Sequence, residues 1–158
     1  MIVVCDSSPI IALALIDKLE LLDQLFNEVI IPFNVYKELT IPNKPEAKKI
    51  KLWAKTKTFA AKNLRTVKLL QTMLDAGESE AISLYWERNA DYLLIDEKKG
   101  RRIAKYNNVN IIGTLGILLI SKKKRYISTV KPFLEQLQHS DIRISDELIK
   151  KTLFLAEE

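Results

Sequence analysis

Short apolar runs, separated each time by a stretch of helical periodicity, constrain this chain more than any other feature. Residues 2–4 and 29–31 are β-branched runs, and residues 92–95 and 109–112 are apolar segments of similar length, so each reads as a short strand. Between them Leu19, Leu22, Leu25 and Phe26 recur at helical spacing, and Ser8 ahead of Pro9 supplies a helix start with proline at the first helical position. Helices are expected over residues 9–16, 18–26, 32–39, 46–57, 75–89, 100–106 and 115–122. Two more follow at 130–138 and 146–156, the last capped by Ser145 with Asp146 and Glu147 complementing its dipole. Pro42 and Pro45 punctuate a loop, and residues 58–70 carry no decisive pattern. Strands alternating with helices favour an α/β fold on a small, mostly parallel sheet.

At 158 residues, with no internal repeat and no linker-like boundary, the chain is expected to form one domain over 1–158. A domain of that length buries roughly 68–70% of its unfolded surface and supports a core without staples. A composition of 47% hydrophobic and 28% charged residues, with 4 Gly and 5 Pro, excludes disordered and collagen-like classes. The single cysteine, Cys5, lies in an apolar run and can build neither an intrachain disulfide nor a cysteine zinc site, which fits a reducing compartment. The first residues carry no basic segment ahead of an apolar stretch, and no window approaches the ~18 apolar residues of a membrane span. A cytoplasmic protein without membrane contact is expected.

The net charge of +5 is unevenly spread. Residues 98–131 hold ten basic residues and no acid, and residues 44–68 hold nine basic residues against Glu46 alone, which leaves six basic residues and nineteen acids elsewhere. Such stretches attract a phosphate backbone by counterion release, although two solvated helix faces would give the same counts.

In open parallel sheets, ligands gather outside the carboxyl ends of the strands, and Asp6 and Asp96 each stand where an apolar run ends. Acids brought together there repel, so a divalent cation such as magnesium or manganese, or a shared proton, is needed to hold them. Read singly, Asp6 is equally a turn or capping residue before Pro9, and Asp96 a strand-end turn residue. Glu38, near the end of its helix and badly placed for the dipole, reads as a solvated surface acid. Asp75 and Glu78 form the Asp-x-x-Glu pattern of a helix N-cap. His139 is the only histidine and lies far from any serine or cysteine nucleophile signature, which disfavours triads and histidine-rich metal sites. No phosphate-binding glycine loop is present, and Gly113-Thr114-Leu115-Gly116 reads as a strand-to-helix turn.

Taken in order, four segments make the chain resemble a PIN domain (PilT N-terminus), in particular the VapC-like prokaryotic toxin branch and its uncharacterised relatives. They are Ile2-Val3-Val4-Cys5-Asp6-Ser7-Ser8-Pro9-Ile10, Val35-Tyr36-Lys37-Glu38-Leu39, Gly77-Glu78-Ser79-Glu80-Ala81 and Leu93-Leu94-Ile95-Asp96. The resemblance covers a core of about 1–125 and implies a three-layer fold with helices flanking the sheet. It leaves about 126–158 as a C-terminal helical extension. There Leu148, Ile149, Thr152, Leu153 and Ala156 make an apolar stripe that either packs intramolecularly or receives a partner. Catalytic, metal-ligating roles carry over to Asp6, Glu38 and Asp96, and family spacing puts the fourth at Glu78, with Glu80 as its competitor. Ser8 matches a hydroxyl that serves an acid, a metal water or the helix cap, the cap being favoured. Glu97 and Arg101 adjoin this set, and surface salt-bridge roles are equally open to them.

The function so implied is a Mg2+- or Mn2+-dependent endoribonuclease, with the acids holding one or two cations and the basic stretches holding RNA. The VapC-like branch also implies a small antitoxin protein as inhibitory partner, and a homodimer. Two other classes remain: a catalytically inactive RNA- or protein-binding module, and a phosphoacceptor or phosphatase. Against the last, Asp6-Ser7-Ser8-Pro9 lacks the second aspartate two residues on.

Overall fold

The computed structural model describes residues 1–44 and 46–158; Pro45, read with Pro42 as loop punctuation, lies outside the described residues. The strands are β1 (Ile2–Cys5), β2 (Glu28–Pro32), β3 (Thr58–Phe59), β4 (Tyr92–Leu94) and β5 (Ile111–Ile112). They form one five-stranded sheet, all parallel, in the order β3-β2-β1-β4-β5. The helices among the described residues are α1 (Ser7–Leu15), α2 (Glu20–Leu25), α3 (Phe33–Leu39), α4 (Ala47–Ala54), α5 (Leu64–Leu70), α6 (Ala76–Glu87), α7 (Lys98–Tyr106), α8 (Thr114–Lys123), α9 (Lys131–Gln138) and α10 (Asp146–Ala156).

Strand residues alternate strictly between two cores. Val3, Cys5, Val29, Ile31 and Leu94 face a cluster completed by α1 to α4 and α8 to α10. Val4, Ile30, Leu93 and Ile95 face a second cluster completed by α5, α6 and α7. A sheet covered on both faces needs apolar residues at every strand position, which is why the runs read as continuous rather than alternating. The result is the three-layer α/β arrangement, with the C-terminal helices joined to the first layer. Ile149, Thr152 and Ala156 turn inward and α10 packs along α8, so the apolar stripe of the tail is used intramolecularly, while Leu148 stays exposed. No helix among the described residues is long and apolar enough to cross a membrane.

Two expectations need correction. The first helix begins at Ser7, two residues before Pro9, because the extended backbone of β1 runs on through Asp6 (φ −81°, ψ 169°) and turns immediately after it. Asp6 therefore holds the N-cap position, and Ser8, exposed in the first turn, caps nothing. Residues 58–70 resolve into the two-residue strand β3 and the helix α5, whose Asn63 cap accepts the Thr66 N–H at 3.1 Å. Neither element is long enough to show a period of its own.

Candidate active site

From β1 the chain goes outward to β2 and β3, then crosses back to β4 and β5 on the other side. That reversal puts the topological switch point at the carboxyl ends of β1 and β4, the place where doubly wound sheets bind ligands. The register pairs Cys5 with Leu94, so Asp6 stands one residue beyond the last pair on its strand and Asp96 two residues beyond on the other. The Asp6 N–H still donates to the Leu94 carbonyl at 2.9 Å, which ties the first acid to the neighbouring strand.

Asp6 is only 4% exposed. Its side chain makes no capping bond into α1, and only the Ser7 N–H next to it favours its charged form. Burial pushes its pKa up to about 7, against a partial offset from the Ser7 N–H, and the carboxylates of Glu78, Asp75 and Glu38 push it in the same direction. Three acids from two helices therefore converge on the end of β1. A carboxylate in that position ionises only at a cost that a bound cation removes.

Glu78 and Asp75 form a reciprocal capping box at the start of α6. Asp75 Oδ1 accepts the Glu78 N–H at 2.8 Å, and Glu78 Oε2 accepts the Asp75 N–H at 3.3 Å. The cap does not consume the charge: burial, Asp75 and Glu97 together raise the Glu78 carboxyl above its usual range. Glu78 also passes over Gly100, where a Cβ would lie 2.8 Å from Oε1, so only glycine lets α7 approach this closely. Glu38 reaches the same edge from the last turn of α3; a Cβ on Gly77 would lie 3.9 Å from Glu38 Oε2 and 3.5 Å from Asp75 Oδ1.

The remaining acids are differently employed. Glu80 is buried, and both of its oxygens are engaged: Oε2 accepts the Asn34 N–H at 2.7 Å and Oε1 the Ala61 N–H at 3.0 Å. It fastens α3 and the approach to α5 onto α6. Asp96 is exposed and turned to the start of α8, accepting the Thr114 N–H at 2.9 Å and its hydroxyl at 2.5 Å. Glu97 caps α7 through the Gly100 N–H at 2.7 Å; burial raises its carboxyl, but the Gly100 and Lys99 N–H groups outweigh that and hold it below the usual range. Arg101 donates to the Ile95 carbonyl at 2.7 Å, next to Asp96.

Asp75 is the charged member of this set that sequence reasoning left as a mere cap. Its signal was its place, at the first position of the helix that carries Glu78, but the capping pattern explained it fully and concealed its second role.

Among the described residues no three His, Cys, Asp or Glu side chains stand close enough around one point to hold an ion as placed. The donor chemistry nonetheless suits a hard divalent cation: all oxygen, no sulfur or imidazole, and a buried carboxylate whose strongest side-chain neighbours are acids. Glu38, exposed at the end of α3, retains the rotamer freedom to turn toward Asp6, whereas Asp96 is held by Thr114.

Compared with protein-family models, residues 2–158 match the one described as PIN domain. The chain belongs to the PIN domain family, a family of nucleases. The match takes in α9 and α10, beyond the segments that carried the resemblance in sequence. No curated protein and no solved structure matches the chain.

Proposed function

We propose that this PIN domain is a divalent-metal-dependent endoribonuclease of the VapC-like branch, the toxin of a toxin–antitoxin pair acting in the cytoplasm. The observation that carries the reading is Asp6: a buried carboxylate at the sheet's switch point, with Glu78, Asp75 and Glu38 bearing on it. Asp6, Glu38, Glu78 and Asp96 would hold magnesium or manganese, with Asp75 alongside. When bound, the cation polarises the phosphate and makes an attacking water more acidic. Hydrolysis adds the water oxygen to phosphorus, breaks the bond to the leaving ribose oxygen and returns a proton to that oxygen. The Asp6 N–H ties the end of β1 to β4, and Thr114 holds the Asp96 carboxylate in one orientation, so the backbone of one acid and the side chain of another are positioned by the fold. The branch brings with it a small antitoxin as inhibitory partner and a homodimer.

The test is incubation of the protein with mixed RNAs in magnesium, manganese or EDTA, beside its Asp6→Asn and Asp96→Asn variants. Discrete fragments that need the metal and vanish in both variants are expected. Cleavage retained in both variants would overturn the reading. A second reading, a module that binds RNA or protein without cutting, is favoured by one observation: no three acids are gathered around one point as placed among the described residues. It predicts RNA binding that is indifferent to magnesium and yields no product.

A further inference from the structure

Asp96 stands at one end of a groove of about 530 Å³ between α8 and α10. Ile112, Leu115 and Leu119 line one side, and Leu148 and Leu155 the other. Lys98, Arg101 and Lys151 border it, and Asp96 is the one acid among its lining residues. A second depression of about 450 Å³ shares Leu119 and Leu155 and continues to Ile120, with Lys122 and Lys123 outnumbering Glu157, its one acid. Together the two follow α8 from its first turn to its last, ten residues or about 15 Å.

Resting on the nuclease reading, we propose that single-stranded RNA leaves the acid cluster along this groove, its phosphates on Lys98, Arg101, Lys151 and Lys123 and its sugars and bases against the aliphatic floor. Charge complementarity, continuous with the acid cluster at Asp96, favours this occupant. Glu38, Asp75 and Glu78 bear on Asp6, and Glu97 bears on Glu78, so without a cation the acid cluster itself repels a phosphate chain. On the Asp96 side the cations begin at once, with α7 bringing Lys98 and Arg101 to the mouth. Arg101 is already oriented to receive a phosphate, since one N–H is anchored on the Ile95 carbonyl and the rest of the guanidinium fork is available. Gly113 keeps the mouth open, because a Cβ there would lie 2.7 Å from Asp96 Oδ1 and 3.0 Å from Arg101 Nη1. The basic run of residues 98–131 thus becomes a track, with α7 at its start and the end of α8 at its finish. Aliphatic walls without an aromatic platform suit ribose edges and sequence-tolerant contact more than base-specific stacking.

The experiment measures binding apart from cleavage. Labelled single-stranded RNA is titrated in EDTA with the full chain, with Lys123→Glu/Lys151→Glu, and with Lys48→Glu/Lys51→Glu on α4, which makes the same charge change and lies before β3 at the opposite edge of the sheet. The groove variant is expected to bind about tenfold or more weakly and to show a salt dependence shallower by about one unit for each phosphate it no longer neutralises. The α4 variant is expected to stay near wild type. All four lysines are exposed, so melting temperatures should agree and a folding defect is visible if present. Equal losses in both variants, no loss in the groove variant, or no RNA binding by the wild-type chain would each overturn the path. So would a Leu155→Glu variant that splits a dimer by light scattering while leaving RNA affinity intact, because the face would then be a protein interface. Groove-dependent binding without metal-dependent cleavage would keep the path and remove the nuclease reading; cleavage with affinity unchanged in the groove variant would do the reverse.

Discussion

At the scale of single residues, the fold places one carboxylate where ionisation is costly. An ordinary aspartate titrates near 3.8, while Asp6, raised chiefly by burial, titrates near 7 in the folded chain. Between these values the native state holds a proton that the unfolded chain has released, so in the metal-free protein the contribution of Asp6 to stability falls as pH rises from about 4 to about 7. The cost is complete above 7. In EDTA at pH 8, Asp6→Asn is therefore expected to be more stable than wild type by about 2–4 kcal/mol, and the difference should shrink toward pH 5. Urea unfolding at the two pH values measures it, and magnesium should narrow the gap by stabilising wild type alone. The site also shows how little residue type reveals unaided. Glu78 and Glu80 lie two positions apart with the same side chain, yet one turns to Asp6 and the other binds the backbone of Asn34 and Ala61. Helical geometry separates them by about 200° around α6, and only the neighbouring elements say which direction is the site.

Among the elements, α6 serves two ends. Its first turn closes a capping box that any helix of this kind would use, and the same two acids supply charge to the cluster. The roles separate by substitution. Asp75→Asn keeps an oxygen to accept the Glu78 N–H and is expected to melt near wild type, whereas Asp75→Ala loses the cap at a cost of about 1 kcal/mol. If the charge matters to the site, the asparagine variant, despite its normal melting temperature, should need more magnesium for half-maximal cleavage; an unchanged requirement would leave Asp75 a cap only. The Asp-x-x-Glu spacing made the cap legible in the sequence for a local reason, since a capping box needs only its own four residues. The charge role was not legible, because Asp6 and Asp75 meet only when β1 and α6 pack. Likewise Ser8 before Pro9 looked like a helix start, and the extended path of β1 through Asp6 moved that start to Ser7.

Across the whole molecule, the C-terminal helices are part of the core. Val130, Leu134, Leu137, Ile149 and Ala156 are buried in the same cluster as β1 and α1. Glu158 completes the closure: its carboxylate accepts the Val130 and Lys131 N–H groups at 2.6 and 2.9 Å and pairs with Lys122 at 2.8 Å. Truncation after Arg125 is expected to expose the α1 and α8 faces and abolish cooperative unfolding, read by circular dichroism melting and dye binding. A sharp transition near the full-length value would show that residues 1–125 stand alone. What the sequence by itself determined is what depends on short-range pattern: the alternation of strand and helix, the capping of α6 and α10, acids at two strand ends, and the PIN resemblance that these carry. Such signals are written within a few residues, by period, propensity and local hydrogen bonding. Tertiary structure alone decided the order of the strands, the burial that lifts Asp6, the parting of Glu78 from Glu80 and the groove that joins Asp96 to the basic helices. Each of these depends on contacts between segments distant along the chain, and the energy of a buried charge depends on everything packed around it.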